Sequence, residues 1–283
     1  MTSSPTSWLS LCQSQVNHQN SFLCVGLDPD LDRLPPELPK NEQGIYEFCC
    51  HVIRATAPFC SAFKPQFAHF AGQRALGALE QVCSFIRQKY PNHQLILDAK
   101  RGDIGSTAAY YAREAFEVYQ AHSCTVHPYM GFDSVKPYLE YGQCKQYGVF
   151  VLCRTSNESG NTFQSLFSGF QLLFERVAQE VREHWNTYSQ CGLVMGATRP
   201  SELSHIRNLC PSLPFLIPGI GAQGGDLSAT IKSAKLSKET PSWINSSRAI
   251  LYAQPDKNES WQQACARAAK ETHLQIQQLL TEG

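Results

Sequence analysis

The feature that most constrains this chain is a regular alternation of two apolar patterns along its length. Eight short β-prone runs occur in order, at Phe22–Leu27, Ser61–Pro65, Gln94–Asp98, Ser123–His127, Gly148–Cys153, Gly192–Met195, Pro214–Ile217 and Trp243–Asn245. Between them lie stretches with apolar residues three and four apart, such as Ile45, Phe48, Cys49, Val52 and Ile53, or Leu76, Leu79, Val82, Cys83 and Ile86. That spacing is helical, and a further long helix is expected from Phe163 to Trp185. Alternating strands and helices imply a parallel sheet covered by helices. Eight such repeats in 283 residues match a closed (β/α)8 TIM barrel of the α/β class better than an open doubly wound sheet. The first strand also lacks the G-x-G-x-x-G turn that a dinucleotide site needs. No low-complexity tract or linker divides the chain. The Pro-rich segment Leu34–Pro39 directly follows the first strand and reads as a loop at the barrel mouth. A single barrel domain is expected over residues 21–283, preceded by a helical extension over 1–20 that covers the barrel bottom.

Composition narrows the function by exclusion. The 24 basic and 24 acidic side chains cancel, so no bulk field draws the chain toward nucleic acid or an acidic membrane surface. A bound anion must be held by a local arrangement of groups. The N-terminus has no basic stretch followed by an apolar run, and no segment approaches the roughly 20 apolar residues of a membrane span. Twelve cysteines are present, irregularly spaced and without a C-x-x-C pair. They read as reduced thiols of a cytoplasmic protein rather than as disulfides or zinc ligands.

In a barrel of this kind, chemistry sits at the C-terminal ends of the strands and in the loops just after them. The first run ends in Val25-Gly26-Leu27-Asp28-Pro29-Asp30, the second in Phe63-Lys64-Pro65-Gln66, and the third in Leu97-Asp98-Ala99-Lys100-Arg101-Gly102-Asp103. Charged residues thus follow three successive apolar runs. Asp98 and Lys100 are two apart and share a strand face. With Lys64 and Asp103 they suggest an alternating Lys-Asp-Lys-Asp array. Carboxylate neighbours raise a lysine pKa and keep it protonated. Such a lysine serves as proton donor and electrostatic clamp, whereas a Schiff-base lysine needs the opposite environment. A lone D-x-K-x-x-D is often only a solvated salt-bridged loop; the coincidence of four charges at the barrel mouth is what gives it weight.

Two further loops carry polar groups. Pro218-Gly219-Ile220-Gly221-Ala222-Gln223-Gly224-Gly225 follows the seventh run, and Asn245-Ser246-Ser247-Arg248 follows the eighth. Glycines let the backbone approach an anion and aim N–H groups at it. Loops seven and eight are the habitual phosphate site of these barrels, and an arginine there suits bidentate contact. Leu152-Cys153-Arg154-Thr155-Ser156-Asn157, after the fifth run, offers hydroxyl and amide groups able to read a heterocycle edge.

Taken together, D-A-K-R-G-D-I at Asp98–Ile104 resembles the signature of the orotidine 5'-phosphate decarboxylase family. V-G-L-D-P-D, F-K-P-Q, L-C-R-T-S-N, G-A-T-R-P and P-G-I-G-A-Q-G-G-D resemble its bacterial type 2 subfamily. The matching pieces keep the family's order from residue 22 to residue 248. The resemblance implies conversion of orotidine 5'-monophosphate to uridine 5'-monophosphate and CO2 in de novo pyrimidine biosynthesis, without a cofactor or metal. It implies that Lys100 protonates C6, that Asp98 lies near the substrate carboxylate, and that Lys64 and Asp103 complete the charge network. It further implies a homodimer in which Asp103 reaches the partner's site. Asp28 and Lys64 are implied to bind ribose hydroxyls with Thr107 beside them, Ser156 the pyrimidine edge, and Gln223 and Arg248 the phosphate. His127 and Ser159 depart from the family pattern, at positions where Asn and Pro are expected. A Mg2+-dependent 3-keto-gulonate-6-phosphate decarboxylase shares the barrel and the Asp-x-Lys-x-x-Asp pattern, and a non-catalytic nucleotide-binding barrel is a second alternative. The barrel uses nearly all residues, so a fused phosphoribosyltransferase domain is not expected.

Overall fold

In a computed structural model, residues 7–142, 146–220 and 224–282 are described. The eight apolar runs form eight parallel strands, at Leu23–Leu27, Ala62–Pro65, Gln94–Arg101, Ser123–Val126, Gly148–Arg154, Cys191–Met195, Phe215–Ile217 and Trp243–Ser246. Each pairs with its neighbours in chain order, and the eighth closes on the first through Leu23 opposite Ile244 and Val25 opposite Ser246. The strands bury nearly every side chain. Buried on both faces, they read as continuous apolar runs rather than as an alternating pattern. Helices return the chain between strands on the outside, among them Glu42–Thr56, Leu76–Lys89 and Pro200–Leu209, and Trp261–Thr281 follows the eighth strand. Ile45, Phe48, Cys49, Val52 and Ile53 are all buried on the first of these, as their spacing requires.

The bottom of the barrel is packed with aromatic rings. Phe150 and Trp243 meet edge to face with centroids 6.0 Å apart, and Trp8 meets Phe150 at 5.3 Å. Trp8 belongs to the helix Trp8–Gln19, which opens on Ser7 with a reciprocal Ser7–Ser10 capping box. Its indole lies over Gly148, the first residue of the fifth strand, where an added Cβ would come within 2.3 Å of the ring. This helix therefore rests against the N-terminal strand ends, leaving the opposite ends for chemistry.

Two expectations need correction. The third strand runs three residues beyond Asp98, through Lys100 to Arg101. It bulges against the fourth: Leu97 pairs with Cys124 and Arg101 with Val126, so four residues on one strand span two on the other. The single helix expected from Phe163 to Trp185 does not form. A short helix, Asn161–Gln164, leads into an antiparallel ribbon of Phe167–Ser168 and Gln171–Leu172, and only then does Leu173–Glu180 begin, widening into a π-turn through Val181–Trp185. Gly169 turns the ribbon at φ +70°, a conformation suited to a two-residue hairpin loop. The apolar residues that mimicked helical periodicity, Phe163, Leu166, Phe167 and Phe170, are exposed.

Candidate active site

The C-terminal ends of the strands surround a cavity of about 440 Å3. Asp28, Lys64, Asp98 and Lys100 line it from the first three strands, Ser156 from the loop after the fifth, and Arg248 from the loop after the eighth.

Asp98 is the centre of the charged group. Its Oδ2 accepts from Lys64 Nζ at 2.8 Å and from Gln66 Nε2 at 3.0 Å. Its Oδ1 accepts from Lys100 Nζ at 2.6 Å and from Thr125 Oγ1 at 2.9 Å. Four donors satisfy one carboxylate whose residue is 6% exposed. Burial on its own would raise the Asp98 pKa. The positive charges of Lys64 and Lys100, and their hydrogen bonds, outweigh it and hold the carboxyl well below the usual carboxylate range. Burial likewise pulls the Lys64 pKa down, but Asp98 and then Asp28 overcome it and the net shift is upward. Asp98 and Lys64 are thus both ionised near neutrality. Lys64 is enclosed, with 5% of its side chain exposed, whereas the Lys100 side chain is 42% exposed and stands at the cavity surface.

The Lys100 backbone is unusual. Its φ is +47°, the left-handed region that L-residues rarely occupy. Asp98 and Lys100 meet as their spacing suggested, but through a bulge and a left-handed residue rather than through regular strand alternation. The Lys100 amide donates to Thr125 Oγ1 at 2.9 Å.

The remaining walls are polar and apolar by turns. Asp28 Oδ1 and Asn245 Oδ1 are buried without a hydrogen-bond partner among the described residues. Both residues line the cavity, so acceptors are available to a ligand's hydroxyl or N–H groups. Gly26 is needed where the first and eighth strands converge, since a Cβ there would lie 1.9 Å from Ser247 Oγ. Arg248 is exposed at the mouth, and among the described residues it forms no ion pair. Pro218, Gly219 and Ile220 line the cavity beside it. Gly219 has φ +105°, and its carbonyl accepts from the Gly225 amide at 3.0 Å. Gln223 lies outside the described residues.

Ser156 is set by its neighbours. An added Cβ on Gly196 would lie 2.7 Å from the Ser156 amide nitrogen, and Thr198 Oγ1 donates to the Ser156 carbonyl at 3.2 Å. Arg154, two residues earlier, does not face a ligand. It is 1% exposed and donates to Glu202, to Gln164 Oε1 at 3.0 Å and to Asn161 Oδ1 at 2.5 Å. Gln164 Oε1 in turn accepts from the Thr155 amide at 3.0 Å, so this buried guanidinium shapes the loop that carries Ser156.

Asp103 and Thr107 do not line this cavity. Asp103 accepts from the neighbouring Ile104 amide at 2.8 Å, and Thr107 is exposed on the helix Gly105–Arg113. Conversely, Thr125, Gln66 and His127 belong to the cavity wall and were given no role from sequence. Gln66 is two residues beyond Lys64, and Thr125 is two before His127 at a strand end; parity at those ends was the available signal. His127 is exposed at the cavity wall, and partial desolvation followed by the charge of Lys100 lowers its pKa.

Comparison with known proteins identifies the family. The family described as Orotidine 5'-phosphate decarboxylase / HUMPS matches residues 21–264. An orotidine 5'-phosphate decarboxylase of Bordetella avium is 54% identical over 254 residues, covering 89% of this chain and 92% of that one. Among solved structures, an OMP decarboxylase of Leishmania donovani is 34% identical with a TM-score of 0.82, covering 98% of this chain and 99% of that one. A UMP synthase of the same organism is 36% identical with a TM-score of 0.84; the match covers 97% of this chain but 57% of that longer protein. The chain belongs to the orotidine 5'-phosphate decarboxylase / HUMPS family.

Proposed function

We propose that this chain converts orotidine 5'-monophosphate to uridine 5'-monophosphate and CO2, with Lys100 as the proton donor and without a cofactor. The observation that carries the reading is the Lys64–Asp98–Lys100 array, facing a cavity whose far rim holds Arg248 and the Gly219 turn. Loss of CO2 breaks the bond at C6 and leaves its electron pair on that carbon, in the ring plane. No adjacent π system accepts it. An ammonium fixed at this position stabilises the developing charge and then supplies the proton. Asp98, held ionised, sits beside the substrate carboxylate. As CO2 departs, negative charge moves away from Asp98 and toward the Lys100 ammonium, so the array favours the transition state over bound substrate.

Remote groups supply binding energy. Asp28 and Lys64 take the ribose hydroxyls, Ser156 the pyrimidine edge, and Arg248 with Gln223 the phosphate. Asp103 acts across a homodimer interface, entering the partner's site. Support for this comes from the exposed apolar residues beside Asp103, namely Ile104, Tyr110, Tyr129 and Met130, which suit burial against a second copy. Membership of the bacterial type 2 subfamily and a cytoplasmic location complete the reading. So does the division into an N-terminal extension over 1–20 and a barrel over 21–283.

The test follows the absorbance of orotidine 5'-monophosphate with purified protein in EDTA, for the wild type and for Lys100→Ala. The expected result is rapid loss of the substrate band with wild type and at least about a 10³-fold slower reaction with a folded Lys100→Ala protein. A wild-type rate in that variant removes Lys100 as donor. A wild-type protein that leaves orotidine 5'-monophosphate unchanged but releases CO2 from 3-keto-gulonate 6-phosphate with Mg2+ shifts the reading to the metal-dependent sugar-phosphate chemistry.

A further inference from the structure

From the contacts around the third and fourth strands we infer that Thr125 is a positioning residue for Lys100, fixing the left-handed backbone and the direction of the ammonium through a closed ring of hydrogen bonds. This inference rests on the reading of Lys100 as proton donor.

The ring has three bonds. The Lys100 amide donates to Thr125 Oγ1 at 2.9 Å, the Thr125 hydroxyl donates to Asp98 Oδ1 at 2.9 Å, and Lys100 Nζ donates to that same Oδ1 at 2.6 Å. The hydroxyl hydrogen has one possible use here. An amide N–H cannot accept it, so the lone pairs of Oγ1 take the amide and its hydrogen goes to the carboxylate. Backbone and side chain of Lys100 are therefore tied to one residue on the neighbouring strand.

The need for such a tie comes from the bulge. Between Leu97 and Arg101 the third strand loses register with the fourth, so the Lys100 amide has no ladder carbonyl to pair with. Lys100 also stands at φ +47°, which a residue with a Cβ keeps only when its surroundings over-determine it. Thr125 provides that determination. It is 1% exposed on Ser123–Val126, and its branched side chain is stiff about χ1. No other described side chain bonds both the Lys100 backbone and Asp98. Without the hydroxyl, Asp98 loses one of its four donors and the Lys100 amide loses its acceptor. The ammonium then samples directions away from the cavity, which slows protonation while the ribose and phosphate contacts persist.

Three variants and two readouts test this. Thr125→Val keeps volume and branching but removes the hydroxyl. Its kcat is expected to fall about 10- to 100-fold, with KM and the Kd of uridine 5'-monophosphate within about threefold of wild type. Thr125→Ser keeps the hydroxyl but removes the methyl group, and is expected to stay within about threefold of wild-type kcat. A packing role predicts the reverse order. The inference is overturned if Thr125→Val turns over at the wild-type rate while Lys100→Ala is inactive, or if Thr125→Ser loses tenfold or more. Should Thr125→Val fail to fold, the serine variant alone decides between the two outcomes. An active Lys100→Ala protein would instead overturn the proton-donor reading itself, whatever the threonine variants do.

Discussion

At the scale of the residue, the carboxylate of Asp98 decides the state of its surroundings. It accepts four hydrogen bonds, two on each oxygen, and its negative charge is shared between the enclosed Lys64 and the cavity-facing Lys100. Removing one member of a buried ion pair costs more than the pair contributes, because the other charge is left unpaired. Asp98→Asn is therefore expected to destabilise the protein by about 3–5 kcal/mol at pH 7, chiefly through the enclosed Lys64. The sign of the pH dependence follows from the shifts. The Asp98 pKa is depressed by folding, so its contribution is present above the unfolded value of about 3.9 and is lost as pH falls through the folded value. The Lys64 pKa is raised, so its contribution is complete below about 10.4 and is lost as pH rises through its folded value. Urea unfolding of wild type and Asp98→Asn at pH 7 and pH 3 checks this. The gap is expected to narrow at pH 3, and an equal gap at both would show that ion pairing is not its source.

At the scale of the element, strands were legible because burial on both faces forces continuous apolar runs, and each observed strand core coincides with such a run. The third strand shows where that legibility stops. Its continuation through Lys100 to Arg101 depends on a bulge and on Thr125, a partner on the next strand, and no pattern within Asp98–Asp103 encodes either. Arg154 reads as part of a ligand-facing loop in sequence, but its buried bonds to Glu202, Gln164 and Asn161 come from residues 7 to 48 positions away. The segment after it imitates a helix because Phe163, Leu166, Phe167 and Phe170 have helical spacing, although none faces the core. Lys64 and Asp98 were legible because each follows an apolar residue at a strand end directly, and Arg248 because it stands in the loop after the eighth run. The N-terminal helix shows the energetic side of the same point. Trp8 is fully buried against Phe150 and Gly148, so Trp8→Ala opens a cavity under the barrel and is expected to cost about 3–5 kcal/mol. The active site lies at the other strand ends, so kcat at a temperature where the variant is folded should be unchanged. Paired unfolding and activity measurements check both. A large fall in kcat without loss of stability would mean that this helix acts on the site itself.

At the scale of the whole molecule, one chain holds an incomplete version of the array read from its sequence. Lys64, Asp98 and Lys100 converge on the cavity, while Asp103 bonds its own neighbouring amide and lies outside the cavity wall. Apolar side chains on the loops after the third and fourth strands remain exposed beside it. These two facts have one explanation if two copies pack on that face and exchange their Asp103 carboxylates. Closed two-fold symmetry would then complete both sites at once. The consequence is complementation between two defective proteins. Lys100→Ala supplies an intact Asp103 but no donor, and Asp103→Ala supplies an intact donor but no carboxylate. In a mixed dimer, the site built on the Asp103→Ala chain receives the partner's carboxylate and is wild type, while the other site lacks both groups. Random exchange at equal concentrations makes about half of the dimers mixed, and half of their sites intact. Mixing two nearly inactive proteins is therefore expected to restore about one quarter of wild-type activity. The recovery should appear at the rate of subunit exchange and be absent when either variant is assayed alone. If Asp103 acts within its own chain, the Asp103→Ala chain remains defective in every dimer it enters, and the mixture stays at the mean of its two components.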